Sequence, residues 1–172
     1  DRLLVDAITR ERRNPRYLTD FELPDTIRAT TSLEQALADK ELVISVVPSH
    51  AVRDVWGKGR DLVRPDALVV SASKGIEIGT GKLVSEILME ILPCEMHDRL
   101  CFLSGPSFAR EIAERRPTAV SLAARNETYA IAAQTLISSP LFRCYTTGDV
   151  VGLELGGALK NVIAIAIGIA DG

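Results

Sequence analysis

Apolar residues along the chain recur at two spacings, and the switches between them mark out the elements. "ELVISVV" at 41–47 is a continuous run rich in β-branched residues, the pattern of a strand buried on both faces of a parallel sheet. "ALVVSAS" at 67–73, "LCFLSGP" at 100–106, "PTAVSLAA" at 117–124 and "LFRCYTT" at 141–147 repeat that character. Between the runs the spacing changes to three and four. Val52, Val55 and Trp56 follow the first run, "KLVSEILMEIL" the second, "SFAREIAE" the third, "NETYAIAAQTLIS" the fourth, and a closing helix the fifth. Upstream, Leu3, Leu4, Ala7 and Ile8 predict a helix that stops before Pro15, and "RYLTDFELPDT" reads as a loop. Ser32 and Gln35 are spaced as a capping box for a short helix carrying Leu33, Ala36 and Leu37. Strands alternating with helices predict an α/β fold: a Rossmann-like, mostly parallel sheet flanked by helices and joined by right-handed crossovers.

Composition narrows the function classes. The 172 residues suffice for one domain, or for one domain with a piece of another. Twenty basic against 23 acidic residues leave a net charge of −3, without the basic field of a nucleic-acid binder, so no nucleic-acid partner is expected. Cys94, Cys101 and Cys144 form no CxxC pair, which argues against a disulfide framework or a zinc site and for a reducing, cytoplasmic setting. Cys101, inside a predicted strand, reads as core. His50 and His97 lie far apart and lack ligand spacing, so no metal site is expected. The opening "DRLLVDAITRERRNP" has no signal-peptide pattern and reads as the tail of a helix. A membrane span needs about 20 apolar residues. The apolar run 162–170 is shorter, and Glu154, Lys160 and Asn161 would lie at costly depth in a longer one, so a helix buried in protein is expected instead of a span.

Ligands of open α/β sheets bind outside the carboxyl ends of the strands, which directs attention to three strand-to-helix turns. These are "VVPSH" (46–50), "SASKGIE" (71–77) and "LSGPSFA" (103–109), expected on one edge. Free N–H groups where a helix begins attract anions, so "GPSFA" suits a phosphate or diphosphate through Ser107, with Lys74 adding a positive charge. Taken singly, Ser49 and Ser107 read as helix caps and Lys74 as a solvated lysine. In "LELGGALKNVIAIAIGIADG", Lys160 shares a helical stripe with Gly156, Gly157, Ala164, Ile167, Gly168 and Asp171. A lysine held among such small residues would lose hydration and give up its proton more easily, which suits acid/base work. The same spacing also fits a stem that packs while its ammonium stays in water.

"VVPSH", "SASKGIE", "LSGPSFAREIAERRPTAVSLA" and "GLELGGALKNVIAI", with "NPRYLTDFELPDTIRATTSLEQAL" upstream, resemble the NAD(P)-dependent glycerol-3-phosphate dehydrogenase family over nearly the whole chain and in the same order. The resemblance implies reversible hydride transfer between NAD(P)H and dihydroxyacetone phosphate, giving sn-glycerol 3-phosphate, the phospholipid backbone precursor. It implies NAD or NADP as cofactor, a small phosphorylated substrate, and a homodimer as an allowed assembly. By motif, Lys160 resembles the catalytic lysine, proton donor to the carbonyl in reduction and acceptor in reverse, with Asn161 orienting the substrate. Lys74 resembles the second active-site lysine, near both substrate and nicotinamide. Gly105 and Ser107 match the substrate-side turn, Ala109 matches a cofactor contact, and Pro48 lies in a turn that passes the dinucleotide.

Two departures accompany the resemblance. No GxGxxG occurs, although the family opens with a strand and that turn, and the chain stops after "ADG", before a helical domain that would supply an acidic partner for the lysine and an arginine for the phosphate. The expectation is therefore a fragment: residues 1–147 as a partial dinucleotide-binding domain and 148–172 as the start of an all-α substrate domain. The competing readings are a Rossmann dehydrogenase of 3-hydroxyacid or 6-phosphogluconate type, and a non-catalytic module that kept the fold. The presence of both Lys74 and Lys160 favours the enzymes.

Overall fold

The computed structural model describes residues 1–172. Five strands, β1 (Leu42–Ser45), β2 (Leu68–Ser71), β3 (Leu100–Ser104), β4 (Thr118–Ala124) and β5 (Phe142–Thr147), form one sheet in chain order. β1, β2 and β3 are parallel, β4 runs antiparallel to β3, and β5 is parallel to β4. The helices are α1 (Arg2–Glu11), α2 (Leu33–Leu37), α3 (Val52–Gly59), α4 (Val84–Ile91), α5 (Ala109–Ala113), α6 (Glu127–Ile137) and α7 (Val150–Asp171). Short 3-10 turns at Ser49–Ala51 and Cys94–Arg99 precede α3 and β3.

Each face of the sheet carries a cluster of buried apolar side chains. On one face Val43, Val69 and Phe102 pack with Val52 and Trp56 of α3, Ile87 and Leu88 of α4, and Val150 of α7. On the other, Val70, Cys101 and Leu122 pack with Ala130 and Ala133 of α6. β2 is buried along its whole length. The double burial expected for "ELVISVV" is not met, because β1 is the edge of the sheet and Ile44 and Val46 are exposed. Its inward residues do belong to the core: Trp56 Nε1–H donates to Ser45 Oγ at 3.0 Å in the interior.

Local chemistry sets the boundaries. α1 ends in a left-handed Arg12, before Pro15 is reached. Ser32 caps α2 by accepting from Gln35 N–H at 3.2 Å, but only half of the capping box forms, because the Gln35 side chain pairs with Thr30 instead. The predicted "SFAREIAE" helix shrinks to the five residues of α5, which ends at Arg115 in a positive-φ turn. That turn sends the chain back along β3, so β4 begins at the edge where β3 ends. β5, parallel to β4, therefore finishes at the opposite edge, and α7 must climb the sheet face from there.

α7 also departs from expectation. Only Val150 and Glu154 are buried, and Val162, Ile163, Ile165, Ile167 and Ile169 are exposed. It packs on β3 and β4 through its earlier part, whereas every residue from Leu159 onward is exposed. By length and composition α7 is apolar enough to cross a membrane. Cys94, Cys101 and Cys144 are free thiols; burial pushes Cys101 up to about 12, in keeping with a core position.

Candidate functional site

Parallel strands bring their carboxyl ends, and the turns that follow, to one edge, and side-chain contacts draw the three turns together. Gly75 adopts φ +128°, a conformation L side chains rarely take, and a Cβ there would stand 2.7 Å from Ser49 Oγ. Lys74 Nζ donates to the carbonyl of Gly105 at 3.1 Å. Gly105 lies so close to β4 that a Cβ would meet Val120 Cα at 3.0 Å. The first turn thus meets the second at Ser49, and the second meets the third through Lys74.

α7 arrives at this junction from the far edge. At Gly157 a Cβ would lie 2.7 Å from Ser104 Oγ and 3.8 Å from Lys74 Cγ, so the missing side chain lets the helix lie against β3 and the lysine. Lys160 follows one turn later. Lys74, Gly75, Gly157, Ala158, Lys160 and Asn161 line an open cleft of about 290 Å3. Of the small stripe predicted around Lys160, only Gly157 contributes to the cleft. A Cβ on Gly156 or Gly168 would touch nothing within 4 Å.

The two lysines differ in environment. Loss of hydration in the cleft, and secondly the charge of Lys160, push Lys74 below the usual lysine value. Lys160 itself is exposed at the mouth of the cleft, which fits the alternative of an ammonium left in water over that of a dehydrated lysine. Its ammonium lies 5.2 Å from the centroid of the Phe108 ring, within cation–π range. Phe108 thereby joins the turn after β3 to α7.

Ser49 and Ser107 are not the caps they resembled. Pro48 and Phe108 occupy the N-cap positions and make no side-chain capping bond. Ser107 stays beside Gly105, its N–H donating to the Gly105 carbonyl at 2.9 Å. Pro48 and Ala109 are exposed and do not line the cleft. The site therefore unites Lys74, Lys160, Asn161 and Gly105, with Ser107 beside Gly105.

Three contributors escaped the sequence reading. Phe108 was hidden inside a motif valued for its serine and glycine. Arg53, on α3, donates two hydrogen bonds to Glu77 at 2.8 and 2.9 Å and so braces the turn after Lys74; 24 residues apart, on a helix and in a turn, the two share no sequence pattern. Glu154 is buried and accepts from Ser85 N–H at 3.0 Å, joining α7 to the start of α4. Its only sequence signal was a lone acid in an apolar stretch.

Comparison with known proteins gives the family of the chain. Residues 1–130 match the family model for the N-terminus of NAD-dependent glycerol-3-phosphate dehydrogenase, and residues 149–172 match that for its C-terminus. The chain is 48% identical over 166 residues to a glycerol-3-phosphate dehydrogenase [NAD(P)+] of Leptospira biflexa, covering 96% of this chain and 50% of the relative. It is 46% identical to one from Myxococcus xanthus, with 98% and 50% covered. The chain spans about half the length of the curated relatives it matches. Among solved structures, glycerol-3-phosphate dehydrogenase from Coxiella burnetii superposes with a TM-score of 0.85 at 33% identity, covering 98% of this chain and 50% of that one. A pyrroline-5-carboxylate reductase from the same organism, at 13% identity and a TM-score of 0.55 over 84% of this chain and 51% of that one, shares the fold alone. With family models matching on both sides of the cleft, the chain belongs to the NAD-dependent glycerol-3-phosphate dehydrogenase family.

Proposed function

We propose that this chain is the part of an NAD(P)-dependent glycerol-3-phosphate dehydrogenase that carries its reactive lysines, and that the whole enzyme reduces dihydroxyacetone phosphate to sn-glycerol 3-phosphate in the cytoplasm for phospholipid synthesis. The observation that carries this reading is the meeting of Lys74 and Lys160 in one cleft at the carboxyl edge of parallel strands. Residues 1–147 are read as dinucleotide-binding domain and 148–172 as the opening of a helical substrate domain. The exposed isoleucines of α7 support that division, since a helical domain would cover them.

The residues present fit the cofactor and substrate. Two ammonium groups and a carboxamide suit a phosphorylated carbonyl compound, and glycines at 75, 105 and 157 let the turns and α7 close up around them, since a Cβ there would meet Ser49, Val120 or Ser104. When bound, NAD(P)H supplies the hydride for the carbonyl carbon. Lys160 holds a proton at Nζ and delivers it to the carbonyl oxygen, recovering it in the reverse direction. Lys74 places positive charge beside that oxygen as it gains negative charge, which stabilises the transition state more than the ground state. Asn161 orients the substrate through its carboxamide. The Gly105–Ser107 turn and Ala109 form the substrate and dinucleotide rims, and Pro48 shapes the turn beside the dinucleotide.

Reduction of dihydroxyacetone phosphate by the full-length protein, followed by NADH and NADPH absorbance, tests the reading. Lys160→Ala is expected to lower kcat by at least about a hundredfold while dinucleotide binding persists. Undiminished turnover would overturn the role of Lys160. A second reading, favoured by the lowered Lys74, exchanges the roles of the two lysines. If it is right, the pH dependence of kcat set by the acid–base lysine disappears in Lys74→Met and survives in Lys160→Met.

A further inference from the structure

Between α7, β3 and the Lys74 turn lies a small, partly enclosed void with about 10 Å3 of room for the centre of a water molecule, lined in part by Ser71, Ser73, Lys74, Ser104, Glu154 and Gly157. Glu154 is 8% exposed, and only its Oε1 has a partner, the Ser85 N–H. Its Oε2 is buried and meets no donor of the protein, and Ser73 Oγ is likewise buried and unpaired. Native interiors rarely leave such atoms unsatisfied, and two of them border this void. A polar void of this size holds one water, which needs two to four hydrogen-bonding partners.

We propose that Glu154 Oε2 and Ser73 Oγ hold one internal water molecule, and that through it Glu154 is a positioning residue for Lys74 and Lys160. Water fits better than other small ligands. A cation would face the Lys74 ammonium on the same wall, and a phosphate exceeds the space. Burial raises the Glu154 carboxyl above its ordinary value, opposed by its bonds to Ser85. A protonated Oε2 donates to the water, an ionised one accepts from it, and the seryl hydroxyls rotate to complete either pattern. Ser73 directly precedes Lys74, and Glu154 lies on α7 between its buried start and Lys160. The water therefore sits across the joint that sets the separation of the two ammonium groups. The positioning role rests on the proposed function; the water site does not.

Crystal structures of the full-length protein at near-atomic resolution, for wild type, Glu154→Gln and Glu154→Met, test both parts. Density for one water within hydrogen-bonding distance of Glu154 Oε2 and Ser73 Oγ is expected in the wild type, retained in Glu154→Gln and lost in Glu154→Met. An empty void in the wild type would overturn the proposal. In dihydroxyacetone phosphate reduction, Glu154→Met is expected to lose about tenfold in kcat with KM for NADH unchanged, and Glu154→Gln to restore it. Equal kcat in Glu154→Met and wild type would overturn the positioning role. Should Glu154→Met fail to fold, Ser73→Ala removes the other anchor, with a several-fold kcat loss expected and none overturning the role. A wild-type enzyme inactive on dihydroxyacetone phosphate would overturn the functional reading, while the density alone decides the water site.

Discussion

Gly156 and Gly157 are neighbours on one helix, yet their surroundings assign them opposite responses to the same substitution. A Cβ at 156 meets nothing within 4 Å, whereas one at 157 stands 2.7 Å from Ser104 Oγ. Gly156→Ala should therefore stabilise the protein by about 0.5–1 kcal/mol, the ordinary gain of replacing a helical glycine. Gly157→Ala should forfeit that gain to overpacking and fall at least about 1 kcal/mol below it, with the order of the two melting temperatures as the check. Glu154 invites a different measurement. Its carboxyl is raised by burial, so the stability it confers is fully present below 4.5 and is lost as pH rises through the higher folded-state value. Glu154→Gln should lack that decline, so denaturant titrations should show the variant gaining on wild type as pH climbs from 4.5 toward neutrality. Lys160 was legible because it interrupts an apolar run. Glu154 interrupts the same run but reads there only as an argument against a membrane span, since its task depends on the long-range approach of Ser85.

Among the elements, the turn between β2 and α4 is the most heavily braced. Ile76 pairs with Leu83 across it, and Arg53 of α3 bonds Glu77 and also Glu90 of α4, the latter at 2.9 Å. The Arg53 guanidinium, with help from the Thr80 hydroxyl, holds the Glu77 carboxyl at about 2. Stability from this group is present above 4.5 and is lost as pH falls toward about 2. Acid unfolding of Glu77→Gln should consequently be shallower than that of the wild type in that window. Gly75 opens the same turn in a positive-φ conformation, so Gly75→Ala should cost about 1–3 kcal/mol and displace Lys74, an effect that chemical denaturation and crystallography would measure together. "SASKGIE" announces a turn and a lysine. It cannot announce the brace, because Arg53 and Glu90 come from helices whose mutual packing is set by the core beneath them.

For the whole molecule, the exposed isoleucines of α7 predict self-association of the isolated chain, since large apolar patches on soluble proteins seek partners. Ile163→Lys with Ile167→Lys should reduce it, as sedimentation velocity would show. The alternation of strands and helices was legible because Val69, Val70 and Leu122 are apolar for local reasons, each strand being sandwiched between helix layers. Strand order and direction were less so: "PTAVSLAA" reads alike in either direction, and "ELVISVV" has the composition of a central strand yet lies at an edge. The reversal of β4 is what starts α7 at the far side and lets it end its climb beside Lys74. A tilt of α7 by about 10° about the Gly157–Ser104 contact would, at a rise of about 1.5 Å per residue, move the backbone of Lys160 by less than about 1 Å and the far end near Asp171 by about 4 Å. A displacement of the long arm would thus reach the lysine pair as a fine adjustment.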